Sequence, residues 1–358
     1  MLLVPGVPGV PGVSRRVAGR IAGADRRCRP PVPDRRCRPP VPTGIVRSLA
    51  PGRPSLAGSG CDGQDRGVLT DAGLPAFLDD LGLPGFVDIH VHFMPDNVLR
   101  KVWDYFDRVP PTVGMQWPIR YRTDESVRLD TLRALGVTGF TALAYPHRAG
   151  MAAWLGDWAL TFGAATPGCV PSATFYPEPG VLEYVRAFLD RGACVFKSHL
   201  QVGSYDPRDE LLDPVWGLLA EAGVPVVCHC GSGPFPGEFT GPGPISEVLA
   251  RHPNLTLVVA HAGSPEYAGF LDLVEAYPRV HLDTTMAFTP YLNALAPFPD
   301  ELIPRLHAAQ DRVVLGSDFP NIPYPYSTQI QALVDLDLGA DWLRSVLHHN
   351  GSRLLALP

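Results

Sequence analysis

Two histidines two residues apart, His90 and His92, stand in the apolar segment 86–93, FVDIHVHF. Side chains on a strand alternate between its faces, so Asp88, His90 and His92 are expected to point one way and Val87, Ile89 and Val91 the other. Two imidazoles on one face can grip one metal ion, although such a pair also occurs simply exposed or hydrogen-bonded. Three further apolar runs end on a histidine or an aspartate: His229 in VPVVCHCGS, His261 in LTLVVAHAGS and Asp318 in RVVLGSDFP. Each precedes a Gly, Ser or Pro loop, which predicts the carboxyl end of a buried strand. Imidazoles and a carboxylate from several strand ends suit zinc, or another borderline divalent ion such as Mn, Fe or Co.

The elements that must position these residues alternate along the chain. Strand candidates are 86–93, 137–145, 169–176, 194–200, 225–231, 256–263, 280–285 and 313–317. Between them lie helical patterns such as ESVRLDTLRALG, GMAAWLGDWALTFGAA, VLEYVRAFLDRG, LLDPVWGLLAEAG, PISEVLARHP and PEYAGFLDLVEAYP, several of which stop at Gly or Pro. Eight strands, most followed by a helix, over roughly 270 residues match an α/β chain folded as a distorted (β/α)8 TIM barrel. A doubly wound open sheet is the alternative, but it gives no reason for residues from strands one, five, six and eight to converge. In a barrel all strand ends meet at one rim.

Composition bounds the rest. The chain has 358 residues, 46% of them hydrophobic, and a formal net charge of -6 that is unevenly spread. Residues 1–60 hold eleven Arg against two Asp, so the body that follows is acidic and unlike a nucleic-acid binder. Seven cysteines without a CxxC pair point to a reducing, cytoplasmic compartment. No run is long and apolar enough to span a bilayer. The opening MLLVPGVPGVPGVSRR has its arginines after the apolar part, the reverse of a secretory signal. Residues 1–66 are expected to be a disordered Pro/Arg-rich extension, with VPG three times near its start and DRRCRPPVP at 25–33 repeated unchanged at 34–42. It reads as dispensable or as an upstream region outside the expressed protein, with binding to nucleic acid or anionic surfaces the alternative. Residues 67–358 form the barrel domain. A small-molecule substrate is the expected partner, without nucleic acid or membrane, and a homodimer is the candidate assembly.

The motifs VDIHVHF, HCGSGP, VVAHAGS and LGSDFPNIPYPY, with HHNGSRLL as a final helix, resemble the amidohydrolase superfamily. The resemblance is nearest to the branch that includes aminocarboxymuconate semialdehyde decarboxylase. It implies one divalent ion, zinc foremost, held by His90, His92, His229 and Asp318. It also implies that Asp318 accepts a proton from the metal-bound water and that His261 polarises the substrate or holds the attacking water. Asp88 is then placed to orient the His90 imidazole through its other nitrogen, as partners of metal ligands do, though a strand-end carboxylate can also cap a loop.

Lys197, in VFKSHLQ at the end of strand four, stands where related two-metal enzymes carry a carboxylated bridging lysine. It shares a face with His199, and the alternatives are that the two bind a substrate carboxylate or carbonyl, or that Lys197 forms an internal ion pair. Cys228 and Cys230 flank His229, but alternation turns both toward the surrounding helices, where they serve as small buried hydrophobes. Phe319, Asn321 and Tyr324 follow Asp318 in a loop expected to line the substrate site. Trp103, Tyr105 and Phe106 either roof the metal or pack as helix core. Asp283 either lines the site or is simply buried near the rim, and His147, His252, His281, His307, His348 and His349 are assigned structural roles. The favoured activity is hydrolysis of an amide, ester or lactone by metal-activated water. Non-oxidative decarboxylation of an unsaturated or aromatic carboxylate is the alternative, which an arginine such as Arg120, Arg122 or Arg148 on the substrate carboxylate would favour. An inactive metal-binding barrel is the third reading.

Overall fold

The computed structural model describes residues 67–108 and 116–357. The expected 1–66 extension lies outside the described residues. Nine parallel strand segments follow in order: β1 (Phe86–Asp88), β2 (Val137–Thr141), β3 (Cys169–Val170), β4 (Ser172–Thr174), β5 (Val195–His199), β6 (Val226–His229), β7 (Leu257–Val259), β8 (Val280–Asp283) and β9 (Val313–Val314). β1 to β3 pair in one run and β4 to β9 in another. β3 and β4 are the two halves of the third expected strand, parted at Pro171, which has no N–H to give to a ladder. Pro171 still accepts from the Cys194 N–H through its carbonyl, so the two runs remain laced together.

The last strand meets the first. Ile89 N–H donates to Leu315 O at 2.9 Å, Asp318 N–H to His90 O at 2.9 Å and His92 N–H to Phe319 O at 2.7 Å. These bonds close the sheet into a TIM barrel, and its seam passes through the two histidines and the aspartate.

The strands carry the two-sided pattern that a closed barrel needs. Val195, Val227, Val258 and Val314 meet in one buried cluster with Val87, Ile89, Leu143 and Val170. Their neighbours Phe196, Cys228, Val259 and Leu315 belong to a larger cluster shared with the helices. The first set fills the barrel interior, and the second joins the sheet to its helical coat. Cys228 and Cys230 lie in the coat, as alternation requires. The six quoted helical patterns become helices, among them Ala152–Ala165, Val181–Asp190 and Asp213–Ala222. The last ends at Gly223, whose φ of 69° supplies the left-handed turn that stops a helix. The final helical stretch is interrupted by a π-helical segment, Ser345–His349.

One glycine is required by close approach at the seam. A Cβ on Gly316 would overlap Thr285 Oγ1 and come within 2.9 Å of His90 Cβ and 3.2 Å of Asp283 Cγ. Gly316→Ala is therefore expected to lower unfolding stability by about 1–3 kcal/mol, as overpacking does, measured by urea denaturation against wild type. An unchanged midpoint would show that the seam has room to spare.

Candidate metal centre

β1 stops at Asp88 and the chain bends at Ile89. Alternation therefore slips by one. Val87 and Ile89 both belong to the barrel interior, whereas Val91 and Phe93 join the coat. His90 and His92 still point into the barrel together, but Asp88 is left on the opposite side of the strand. Its carboxylate accepts from the Tyr326 hydroxyl at 2.9 Å and from the His90 main-chain N–H at 3.1 Å. The expectation that Asp88 orients the His90 ring is corrected. Asp283, at the end of β8, does so through Oδ2, 2.8 Å from His90 Nδ1. The other oxygen of Asp283 accepts from the His261 and Thr285 main-chain N–H groups at 2.8 and 3.0 Å.

These bonds dictate where ring protons sit. His90 Nδ1–H donates to Asp283, and His92 Nδ1–H donates to Leu143 O at 2.7 Å, since a carbonyl can only accept. A neutral ring then presents an Nε2 lone pair. His92 Nε2 lies 2.8 Å from Asp318 Oδ1, and His90 Nε2 lies 3.7 Å from the same oxygen. Three acceptors thus converge within 4.8 Å of one another, with the ring protons turned away. Such a group is stabilised by a cation, and two imidazoles with a carboxylate are ligands that zinc and its neighbours accept.

Asp318 reaches this position from a left-handed backbone, φ 71°. Burial works to raise its pKa, but once the surrounding rings take up protons, the hydrogen bond from His92 and the charges of His92, His90 and His261 outweigh it and hold the carboxyl below its usual range. His261 is likewise left-handed, φ 57°, because a short 3-10 turn, Ala260–Gly263, replaces the expected last part of strand six. Its Nδ1 lies 3.2 Å from Thr285 O and so donates there, leaving Nε2 as an acceptor. Burial lowers the pKa of His90, His199, His229 and His261. Neutral imidazoles are the form that metal ligation requires.

Six rings close a circuit around the site. His90 and His92 are 5.0 Å apart between ring centres, His92 and Tyr145 5.4 Å, Tyr145 and His199 4.8 Å. His199 and His229 stack at 4.1 Å, His229 and His261 stand at 4.7 Å, and His261 and His90 at 5.4 Å. His229 is in this circuit but outside the three-acceptor group, because its Nε2 is drawn 2.9 Å from Gly233 O. Lys197 is fully buried, with Nζ 3.0 Å from His90 Nε2. Burial depresses its pKa, against the opposing charges of Asp283 and Asp318.

Above the circuit opens a cavity of about 1220 Å³. Lys197, His199 and Asn321 line it, as do His147, Arg148, Lys101 and Arg108. His147, expected to be structural, is thus exposed to the cavity. Phe319 and Tyr324 are corrected: neither lines the cavity, although both follow Asp318 closely in the chain. Phe319 turns into the core against Tyr121, and Tyr324 packs beside Tyr291. Asn321 is held by Trp103, whose Nε1–H donates to Oδ1 at 3.1 Å. Tyr105 and Phe106 line the mouth. Arg122 is paired with Asp107. Sequence reasoning left Asp283 undecided and missed Tyr145, an ordinary tyrosine at the end of the second expected strand.

A sequence profile of the family described as Amidohydrolase matches residues 87–357. No curated protein matches the chain. Among solved structures it is similar to an uncharacterised TIM-barrel protein from Bordetella bronchiseptica, with a TM-score of 0.63 and 18% identity over 76% of this chain and 99% of that one. It is also similar to 5-carboxyvanillate decarboxylase from Novosphingobium aromaticivorans, solved with manganese and 4-hydroxy-3-methoxy-5-nitrobenzoic acid (TM-score 0.53, 15% identity, 77% and 97% covered). A third is a probable 2-pyrone-4,6-dicarboxylic acid hydrolase from Acinetobacter baumannii with citric acid bound (TM-score 0.51, 13% identity, 76% and 99% covered). At these identities the likenesses establish the TIM-barrel fold.

Two predictions separate the roles of the aspartates. Asp283→Ala should weaken binding of zinc or manganese about 10–100-fold in a calorimetric titration, as loss of a ligand's hydrogen-bond partner does, while Asp88→Asn should leave it nearly unchanged. Equal losses in both would contradict the assignment. Burial pushes the Asp88 carboxyl up to about 7 from its ordinary 3.8. The folded chain therefore keeps this proton to higher pH than the unfolded chain, and its contribution to stability is full below the ordinary value and lost as pH rises toward 7. In urea denaturation of metal-free protein, the stability of Asp88→Asn relative to wild type should rise between about pH 4.5 and about pH 7.5. A pH-independent difference would refute the shift.

Proposed function

The chain belongs to the amidohydrolase family, whose match spans every residue of the site just described, and from that premise we propose a metal-dependent hydrolase that opens an amide, ester or lactone of a small molecule. The convergence of His90 Nε2, His92 Nε2 and Asp318 Oδ1 carries this reading. These three would hold a divalent ion, zinc foremost with Mn, Fe or Co as alternatives, and His229 would join them on giving up Gly233 O. The ion would supply Lewis acidity, polarising a carbonyl and acidifying a water.

The chain's own groups do the rest. Asp318, kept ionised, takes the proton of the attacking water. His261 offers Nε2 as an acceptor that holds and aims that water, since its other nitrogen is committed to Thr285 O. Lys197 must leave His90 Nε2 before that nitrogen can serve as a ligand, and its freed ammonium is then a donor for a substrate oxygen. The site lies in a cavity with apolar walls that include Phe106, Trp117 and Trp154, which favours an unsaturated or aromatic substrate. We place the protein in the cytoplasm, where the free thiols of Cys169, Cys194, Cys228 and Cys230 would persist.

Decarboxylation is the second reading, favoured by one observation. Among the described residues Lys101, Arg108, Arg148 and Lys197 line the cavity, against the single carboxylate of Asp318. Such a lining draws an anionic substrate.

His90→Ala should reduce metal content from about one ion per chain to a small fraction of that by elemental analysis, because only His92 and Asp318 then remain converged, with His229 still held by Gly233 O. Wild-type metal content in the variant would sink the site. Screening carboxylates, lactones, amides and esters for acid release and for carbon dioxide separates the reactions. Hydrolysis of an ester or lactone without carbon dioxide is the expected result, and carbon dioxide from a carboxylate would replace it with the second reading.

A further inference from the structure

Tyr145 and His199 are adjacent members of the ring circuit, on the side away from Asp283, and the metal-ligating scheme uses neither. His199 extends the inward-facing row of β5 that begins with Val195 and Lys197. Its Nδ1 accepts from the Val202 N–H at 3.3 Å, so the proton of the neutral ring is on Nε2. The ring cannot easily turn, because it is stacked on His229 with only 10° between planes and has Tyr145 at its other side. His199 Nε2–H has no hydrogen-bond partner among the described residues, and the side chain lines the cavity.

Tyr145 is in the same condition. Its hydroxyl has no hydrogen-bond partner among the described residues, and it lines the same cavity. A phenol carries its proton near neutral pH and so stands there as a donor. Both side chains are half-buried, so the two donors open onto the cavity and not into the core. Two neighbouring donors, held from behind and open to one cavity, mark the place of an acceptor the chain does not itself supply.

The charge of the lining selects that acceptor. Arg148 follows Tyr145 by three residues and lines the cavity with Lys101 and Arg108, whereas the one carboxylate among the described lining residues is directed to His92. An anion is favoured over a neutral carbonyl in such surroundings. An O–H and an N–H on neighbouring rings, their centres 4.8 Å apart, offer a carboxylate one donor for each of its oxygens. We propose that Tyr145 Oη and His199 Nε2 form a carboxylate-binding subsite that holds an aromatic or unsaturated acid beside the metal centre. The proposal rests on the cavity being the substrate site and specifies the group by which the substrate is anchored. Removing either donor should weaken carboxylates and spare neutral analogues.

The test uses benzoate, with benzamide as the uncharged control, titrated calorimetrically into full-length protein stripped of metal with a chelator. Binding to the stripped protein isolates the subsite from the ion, so a failed metal reading would show in metal content and leave this result standing. Wild type should bind benzoate more tightly than benzamide. Tyr145→Phe, which removes one oxygen, and His199→Leu should each weaken benzoate about tenfold, the loss typical of a hydrogen bond to a charged group. His199→Gln keeps an N–H donor and should recover most of that loss, which a merely structural histidine would not allow. Thermal unfolding of Tyr145→Phe checks that this conservative variant is folded. Unchanged benzoate affinity in Tyr145→Phe would overturn the subsite and show that water serves both donors. Absence of benzoate binding by wild type at millimolar concentration, or equal affinity for benzamide, would overturn it as well.

Discussion

The carboxylate of Asp283 is the contact on which the site depends. One oxygen takes the Nδ1 proton of His90 and so turns that ring's lone pair toward Asp318. The other holds the main chain of His261 and Thr285 in the turn that replaces the end of strand six. A single side chain thus sets the tautomer of one histidine and the position of a second. It is completely buried, where a hydrogen bond to an ionised acceptor is stronger and an unmet one costs more than at the surface.

Closure of the barrel is built from the same residues. At the seam, the hydrogen bonds that join the last strand to the first run through the backbones of His90, His92 and Asp318. The candidate metal ligands are therefore held by the fold's own ladder as well as by their side-chain partners. Gly316 permits this by letting the two strands approach without a side chain between them. Left-handed backbone at His261 and Asp318, unusual for residues with a Cβ, appears where the chain must leave strand geometry to aim a side chain inward. Folding and site assembly are one event in this arrangement, since the bonds that close the sheet also bring the donors together.

Much of this was legible in the sequence. Chemistry-bearing residues at the ends of apolar runs, in the order β1, β6, β7 and β9, are meaningful only if the ends meet, and a barrel makes them meet. Alternation placed Cys228 and Cys230 correctly because β6 is regular there. It misplaced Asp88 because β1 ends at that residue and the phase slips at Ile89, a bend that no residue type announces. Sequence could name Asp88 and Asp283 as carboxylates near the site but not say which reaches His90, for that is decided across the barrel. Phe319 and Tyr324 show the converse limit: closeness to Asp318 along the chain did not bring their rings into the cavity. Tyr145 and Arg148 carry no motif and become visible only when the circuit of rings is seen.

The central claim is that His90, His92 and Asp318 form one cation site, with neutral rings whose protons point outward. Anomalous scattering from crystals of the full chain grown with zinc tests it most directly. The account predicts one strong peak among His90 Nε2, His92 Nε2 and Asp318 Oδ1, at roughly 2.0–2.2 Å from each ligand atom. A peak at the thiols of Cys228 and Cys230, or no peak between the two histidines and the aspartate, would contradict it.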